Sequence, residues 1–102
     1  MKLEDYMIWT DKTVKNDTCR TKWYLGLGIS GEAGEVANEI KKEYRDAGEP
    51  DNREEVKLEL GDVMWYFVRL CRAYGFDIED VLDANVKKLT KRHQEKTSGE
   101  KK

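Results

Sequence analysis

Two acidic pairs carry the chemistry this 102-residue sequence offers: Glu32 with Glu35, and Glu59 with Asp62. Each pair is spaced Glu-x-x-acid. Each lies inside an apolar repeat of helical period, Gly31-Glu32-Ala33-Gly34-Glu35-Val36 and Leu58-Glu59-Leu60-Gly61-Asp62-Val63. Residues i and i+3 are neighbours on one helix face. Two such pairs set face to face would make a cage of hard oxygens, the donor set that holds Mg²⁺ beneath a phosphate. Four converging carboxylates repel one another, so bases, protonation or a metal must offset them. The plainer reading, solvated rim charges beside lysines, suits a lone Glu-x-x-Glu. It weakens when two pairs share one layout.

That layout comes from the helix wheel. At about 100° per residue, Glu35 and Glu39 fall near about −60° and −20° from Glu32, and the apolar stripe near about +80°. Measured from Glu59, Asp62 and Tyr66 take the same two angles and the stripe the same third. In an antiparallel hairpin, flanks of one angular sense end on one side of the pair. The break at Ala47-Gly48-Glu49-Pro50-Asp51-Asn52 is short enough to force that arrangement. Packing the two stripes together would gather all four carboxylates on one side, about 6 Å out of level at 1.5 Å per residue.

The elements that must position these acids are helices. A short one is predicted over 3–15, with Leu3, Tyr6, Met7 and Val14 as a partial stripe. Asn16-Asp17-Thr18 is a break, where Asp17 or Thr18 is expected to cap the next helix. That long helix is predicted over 21–47, with Ile29, Ala33, Val36, Ala37, Ile40 and Tyr44 inward. Gly26, Gly28, Gly31 and Gly34 fall in its first half, where they predict an irregular start. They serve either close packing or room for a ligand. A third helix is predicted over 53–74, ended by Gly75, with Val56, Leu60, Val63, Met64, Phe67, Leu70 and Cys71 inward. Asp77-Ile78-Glu79-Asp80 resembles a capping box and opens a fourth helix, predicted to end near Arg92. The chain therefore reads as one all-α domain over 1–93. The polar stretch 94–102 reads as a disordered tail.

Composition narrows the partners. Charged residues make up 39% and hydrophobic ones 38%, with a single Pro, a mix that at helical spacing favours helices over sheet. The net charge of −2 argues against binding duplex nucleic acid or a membrane by bulk charge. Two cysteines, Cys19 and Cys71, make no disulfide framework, and no stretch resembles a signal peptide or a membrane span. These features predict a soluble, cytoplasmic protein. A single His, His93, excludes Glu-x-x-His di-iron and His-rich zinc sites. A domain this small is marginal alone. Trp65 lies well off its helix's stripe, so it must meet another helix or another chain. Val68 beside it widens the apolar surface, which predicts self-association into at least a homodimer. Cys71 reads as core.

The motifs Gly31-Glu32-Ala33-Gly34-Glu35-Val36-Ala37, Glu39-Ile40-Lys41-Lys42 and Glu59-Leu60-Gly61-Asp62-Val63-Met64-Trp65-Tyr66 resemble the MazG-like nucleotide pyrophosphohydrolases of the all-α NTP pyrophosphatase superfamily. The stretch Asp80–Leu89, ending at Arg92, resembles that family's closing helix, so the likeness spans roughly residues 23–92. The resemblance implies a four-helix MazG-like bundle completed by homo-oligomerisation, with a homotetramer as the alternative to a homodimer. It implies Mg²⁺, with Mn²⁺ as an alternative ion. It also implies a nucleoside triphosphate substrate, cut by water attack at the α-phosphate into monophosphate and pyrophosphate. Clearance of non-canonical nucleotides is one use of such a reaction.

Carried over residue by residue, Glu32, Glu35, Glu59 and Asp62 match metal ligands. Asn85, Lys88 and, more loosely, Arg92 match positions near the phosphates. Trp23 and Tyr66 match positions around the nucleoside. Many members carry adjacent glutamates at the first motif, whereas here Gly31 precedes Glu32, leaving one fewer acid for a second or third metal. Glu35 and Glu39 are the candidate catalytic bases. Lys88 and Arg92, one turn apart, would stabilise charge on departing pyrophosphate, or form an ordinary basic last turn. Two alternatives stand beside this reading. One is a related superfamily hydrolase of the dUTP, dCTP or phosphoribosyl-ATP type. The other is a non-catalytic helical dimer that binds nucleotide or protein.

Overall fold

The structure, a computed structural model, describes residues 1–45 and 51–100, with side chains through 96. The loop predicted at 47–50 lies outside the described residues. Four α-helices occur in order: α1 (Leu3–Asp11), α2 (Lys22–Arg45), α3 (Arg53–Tyr74) and α4 (Ile78–Glu100), with a 3-10 turn at Asp17–Arg20 between α1 and α2. The described residues contain no strand, so the fold is all-α.

The helix boundaries have local causes. α1 stops at Asp11, short of the predicted Lys15, and the Thr13 hydroxyl donates back to the Thr10 carbonyl at 2.8 Å. Asn16, rather than Asp17 or Thr18, caps the 3-10 turn: its side chain accepts from the Cys19 amide at 3.2 Å. α2 is continuous from Lys22, and its glycines cause no irregular start. α3 runs over the predicted span and ends in a left-handed Gly75 (φ 73°). There the Phe76 amide donates to the Cys71 carbonyl and the Gly75 amide to that of Arg72. Only Gly adopts this conformation without penalty. Asp77 caps α4 by accepting from the Glu79 amide at 2.8 Å. α4 continues past the predicted end at Arg92 to Glu100, over residues that polarity alone assigned to a loose tail. That stretch has no Pro, and Lys91 pairs with Glu95 one turn on, at 4.0 Å.

α2 and α3 form an antiparallel hairpin. Gly28 lies opposite Tyr66, Glu32 opposite Glu59 and Asp62, and Glu39 opposite Asn52. At the open end, Lys22 Nζ sits 4.3 Å above the Tyr74 ring. Near the turn, Asn52 is buried and ties the helices together. Its amide group donates to the Glu39 carbonyl at 3.2 Å and to Glu39 Oε2 at 3.1 Å, and its backbone N–H donates to Glu43 Oε1 at 3.0 Å.

The packing departs from expectation in one respect. The apolar stripes of α2 and α3 do not bury each other: Leu60 is 52% exposed and Ile40 41%. The seam runs instead along the acidic flank, where Tyr66 lies against Gly28. The buried core is small: Val68, Cys71 and the Ile78 that opens α4 form one cluster, with Tyr6, Met7, Met64, Phe67 and Val81 packed on it, and Leu25 of α2 is buried outside it.

α1 covers that side. Its end is held by the Arg69–Asp11 ion pair, by Arg72 on Asp11 at 3.1 Å, and by Trp65 Nε1 donating to the Thr13 hydroxyl at 2.7 Å. Trp65 therefore meets the turn that follows α1 in its own chain. Val68 is fully buried, so the self-association predicted from the Trp65–Val68 patch loses that argument. The unpartnered apolar surface lies on the other side, where α4 leaves the bundle with Leu82, Val86 and Leu89 exposed. The radius of gyration is 17.5 Å, against about 13 Å for a compact domain of this length.

Candidate metal centre

The hairpin seam sets three acids together. One carboxylate oxygen from each of Glu32, Glu59 and Asp62 lies within 4.8 Å of the other two. The register explains this, since Glu32 on α2 is level with the α3 turn that carries Glu59 and Asp62. Burial, then the charges of Asp62 and Glu59, a hydrogen bond with Glu59 and the charge of Glu35 hold the Glu32 carboxyl above its ordinary range. Carboxylates gathered without a base between them form a donor set suited to a hard divalent cation. Among the described residues, no Lys or Arg forms an ion pair with any of the three.

The remaining predicted residues fall in different places. Glu35 is exposed and outside the group of three, although its charge still acts on Glu32. Glu39 is drawn into the hairpin: Oε1 meets Lys42 Nζ at 3.1 Å and Oε2 accepts from Asn52. Tyr66 lies in the seam one turn beyond Asp62. A Cβ on Gly28 would come within 2.1 Å of its ring, so this glycine serves close packing. By contrast, Gly26, Gly31, Gly34 and Gly61 face open space. Tyr66 also lies among aromatic rings, 5.0 Å from Trp65 and 6.5 Å from Tyr24 between centroids. Hydrogen bonds with Cys19 and Tyr66 push the Tyr24 hydroxyl up to about 12. Trp23 is exposed and stands edge-on to Tyr24. Asn85, Lys88 and Arg92 are exposed along α4, which leaves the hairpin after its first turns. Within one chain they are not drawn into the acidic group.

Sequence reasoning missed three residues here. Asn52 occupies a helix-capping position, yet its side chain reaches back to α2. Arg69 is buried against α1, with the Asp11 carboxylate and the Thr10 hydroxyl as partners, while its Nε has none. Tyr6 lies 55 residues from Gly61 in sequence, and its hydroxyl reaches the carbonyl there, next to Asp62. Burial and then the Asp62 charge push its pKa up. The partial apolar stripe on α1 marks Tyr6 as packed, but nothing local says against what.

A family model for the MazG nucleotide pyrophosphohydrolase domain matches residues 20–97, spanning both acidic motifs and most of α4. The chain belongs to the MazG nucleotide pyrophosphohydrolase family. It is 40% identical over 72 residues to the Gene 37 protein of Mycobacterium phage L5, covering 68% of this chain and 63% of that protein. It is 35% identical over 71 residues to the uncharacterized protein YvdC of Bacillus subtilis (strain 168), covering 62% of this chain and 67% of that protein. No solved structure matches it. An enzyme of the pyrophosphohydrolase type is thus supported at the family level. The three-acid group lies within the MazG-matched span, whereas α1 precedes it. No helix among the described residues is long and apolar enough to cross a membrane.

Proposed function

We propose that this chain is a divalent-metal-dependent nucleoside triphosphate pyrophosphohydrolase, converting (d)NTP to (d)NMP and pyrophosphate by water attack at the α-phosphate. The observation that supports it most is the convergence of Glu32, Glu59 and Asp62 within 4.8 Å on the seam of a MazG hairpin. Glu32, Glu59 and Asp62 would hold Mg²⁺, or Mn²⁺ in its place, with Glu35 joining them from the rim. Bound there, the ion supplies neutralising charge to phosphate oxygens and a more acidic water.

The chain's own residues do the rest. Glu35 is exposed and outside the hydrogen bonds of the hairpin, so it can accept a proton from water at the edge of the group. Glu39 is the weaker candidate for that base, because both its oxygens are engaged in the hairpin. Tyr66 is a part-buried aromatic one turn from Asp62, and Trp23 presents an exposed ring. Both are suited to a nucleoside, since every base has a π face. Asn85, Lys88 and Arg92 supply an amide and two cations suited to phosphate oxygens.

Those α4 residues come into play through self-association. A cavity of about 360 Å³, lined by Ile29, Leu60, Val63, Phe67, Ile78 and Leu82, is almost wholly apolar. Further along α4, Val86 and Leu89 are exposed as well, and apolar surface of this kind favours a partner over water. A second copy seated there would bury it, complete the bundle and bring a neighbouring α4 toward the hairpin.

The test is a panel of canonical and modified triphosphates incubated with Mg²⁺. Monophosphate plus pyrophosphate is the expected product pair, lost in Asp62→Asn. Diphosphate plus phosphate, or no turnover of any member, would refute the reading.

A further inference from the structure

We propose that Thr13 and Trp65 are positioning residues for Tyr66, the ring beside the acidic centre, and so help set how the nucleoside is held. The inference rests on the pyrophosphohydrolase reading, with Tyr66 as a nucleoside contact, and deepens it. Thr13 lies before the family-matched span, so this ring is anchored from outside that span.

Four rings run in a row across the hairpin. Trp65 and Tyr66 are 5.0 Å apart between centroids with planes at 79°. Tyr66 and Tyr24 are 6.5 Å apart at 40°, and Tyr24 and Trp23 are 6.4 Å apart at 80°. Aromatic pairs favour such edge-on and tilted arrangements over a face-to-face sandwich. The row joins the two aromatics suited to a nucleoside: Tyr66, part-buried one turn from Asp62, and Trp23, 63% exposed at the far end.

The Trp65 end of the row is tied to the turn after α1. Its indole N–H donates to the Thr13 hydroxyl at 2.7 Å, the short end of the range for such bonds. That hydroxyl has a single proton, already given to the Thr10 carbonyl at 2.8 Å, so only its lone pairs are left to face the indole. The turn is itself held in place. The buried Thr10 donates to the Met7 carbonyl at 2.7 Å and accepts from Arg69 Nη1 at 3.4 Å, and Asp11 meets both Arg69 and Arg72. The same bond explains why Trp65 can lie off the apolar stripe, since a part-buried indole N–H needs an acceptor.

Successive residues of a helix do not face each other. The contact between Trp65 and Tyr66 therefore depends on how the indole is turned, and Thr13 fixes that turn. Tyr66 has no slack on its other side, because a Cβ at Gly28 would collide with the ring. Between Gly28, Trp65 and Tyr24 the ring is left one orientation. A platform already held as it will be when bound loses little freedom as the ligand arrives.

The experiment compares the full chain with Thr13→Val, which keeps the shape and removes the acceptor, and with Thr13→Ser, which keeps the hydroxyl. KM and kcat are measured with Mg²⁺ and the canonical ribo- and deoxyribonucleoside triphosphates. Inhibition by pyrophosphate, which has no base, is measured beside them, with thermal melts as the check on folding. Thr13→Val should raise KM about fivefold, the low end of what one base–aromatic stack contributes. The kcat and the inhibition by pyrophosphate should stay at the parent values, the pattern of lost uniform binding, and Thr13→Ser should restore KM. Trp65→Phe, which lacks the indole N–H, should match Thr13→Val, and the double variant should be no worse than either. A parental KM in both Thr13→Val and Trp65→Phe would overturn this inference and leave the hydrolysis reading standing. So would an equal weakening of pyrophosphate inhibition, because a general loosening has no regard for the base. No turnover of any triphosphate by the unsubstituted chain would overturn both.

Discussion

Replacing Glu59 with Gln should make the metal-free protein more stable and the metal-bound protein unattainable. The magnitude comes from geometry. Glu59 shares a 4.8 Å envelope with Glu32 and Asp62. At that separation two unit charges repel by about 0.9 kcal/mol in bulk water and about 3.5 kcal/mol at an effective dielectric of 20. The group is part-exposed, so the true value lies toward the lower figure. Removing one charge from two such pairs should therefore relieve about 1–2 kcal/mol. Gln keeps the size of Glu and can donate to the acids it faces. A gain of this size raises the melting temperature by about 4–8 °C per kcal/mol in a domain of this length. It should shrink as salt is added.

Metal should act in the opposite sense. A ligand that binds only the folded state adds about 2.7 kcal/mol at a hundredfold excess over Kd. That shift should appear in the unsubstituted chain and vanish in Glu59→Gln. Thermal melts by circular dichroism, with and without Mg²⁺, read both effects. A metal-free Glu59→Gln that melts at or below the parent, or one that keeps the full Mg²⁺ shift, would refute the three-acid geometry.

Three further outcomes depend on single contacts. Gly28→Ala drives a Cβ into the Tyr66 ring, so overpacking of about 1–3 kcal/mol should outweigh the roughly 1 kcal/mol gained in helix propensity. In a Tyr66→Ala background the same change should turn stabilising, and a double-mutant cycle of denaturant melts measures the reversal. Because the folded-state pKa of Glu32 is raised, the fold binds its proton more tightly than the unfolded chain does. The stability this lends is fully present below the ordinary Glu range and is lost as pH rises through the raised value, while Mg²⁺ stabilisation grows over the same window. Melts from about pH 4 upward, with and without Mg²⁺, should diverge; parallel curves would count against the site. Asn52→Ala removes the links to Glu39 and should cost about 1–3 kcal/mol. Hydrogen exchange should speed at the start of α3 before it does at Val68.

Much of this was legible in the chain because helices are written locally. The spacing of Glu32, Glu59 and Asp62 within apolar repeats, the stop at Gly75 and the start at Asp77 are all encoded within a few residues. A short connection between two long helices allows only an antiparallel pair. That is why the sequence by itself determined the all-α class, the hairpin, the family likeness and the rough level at which the acids meet.

Which faces meet was decided only in three dimensions. The apolar stripes of α2 and α3 looked like the natural seam, yet the helices close along the acidic flank. There the Tyr66 ring occupies the space a side chain at Gly28 would take, and Asn52 reaches back to Glu39. α1, with Asp11 on Arg69 and Arg72, claims the Val68 side of α3, which leaves the stripe at Leu60 and Leu82 for something else to cover. A helical repeat states that a face is apolar but not what will bury it. That choice rests on the fit of rings, hydrogen bonds and charges tens of residues apart, and no short stretch of sequence records it.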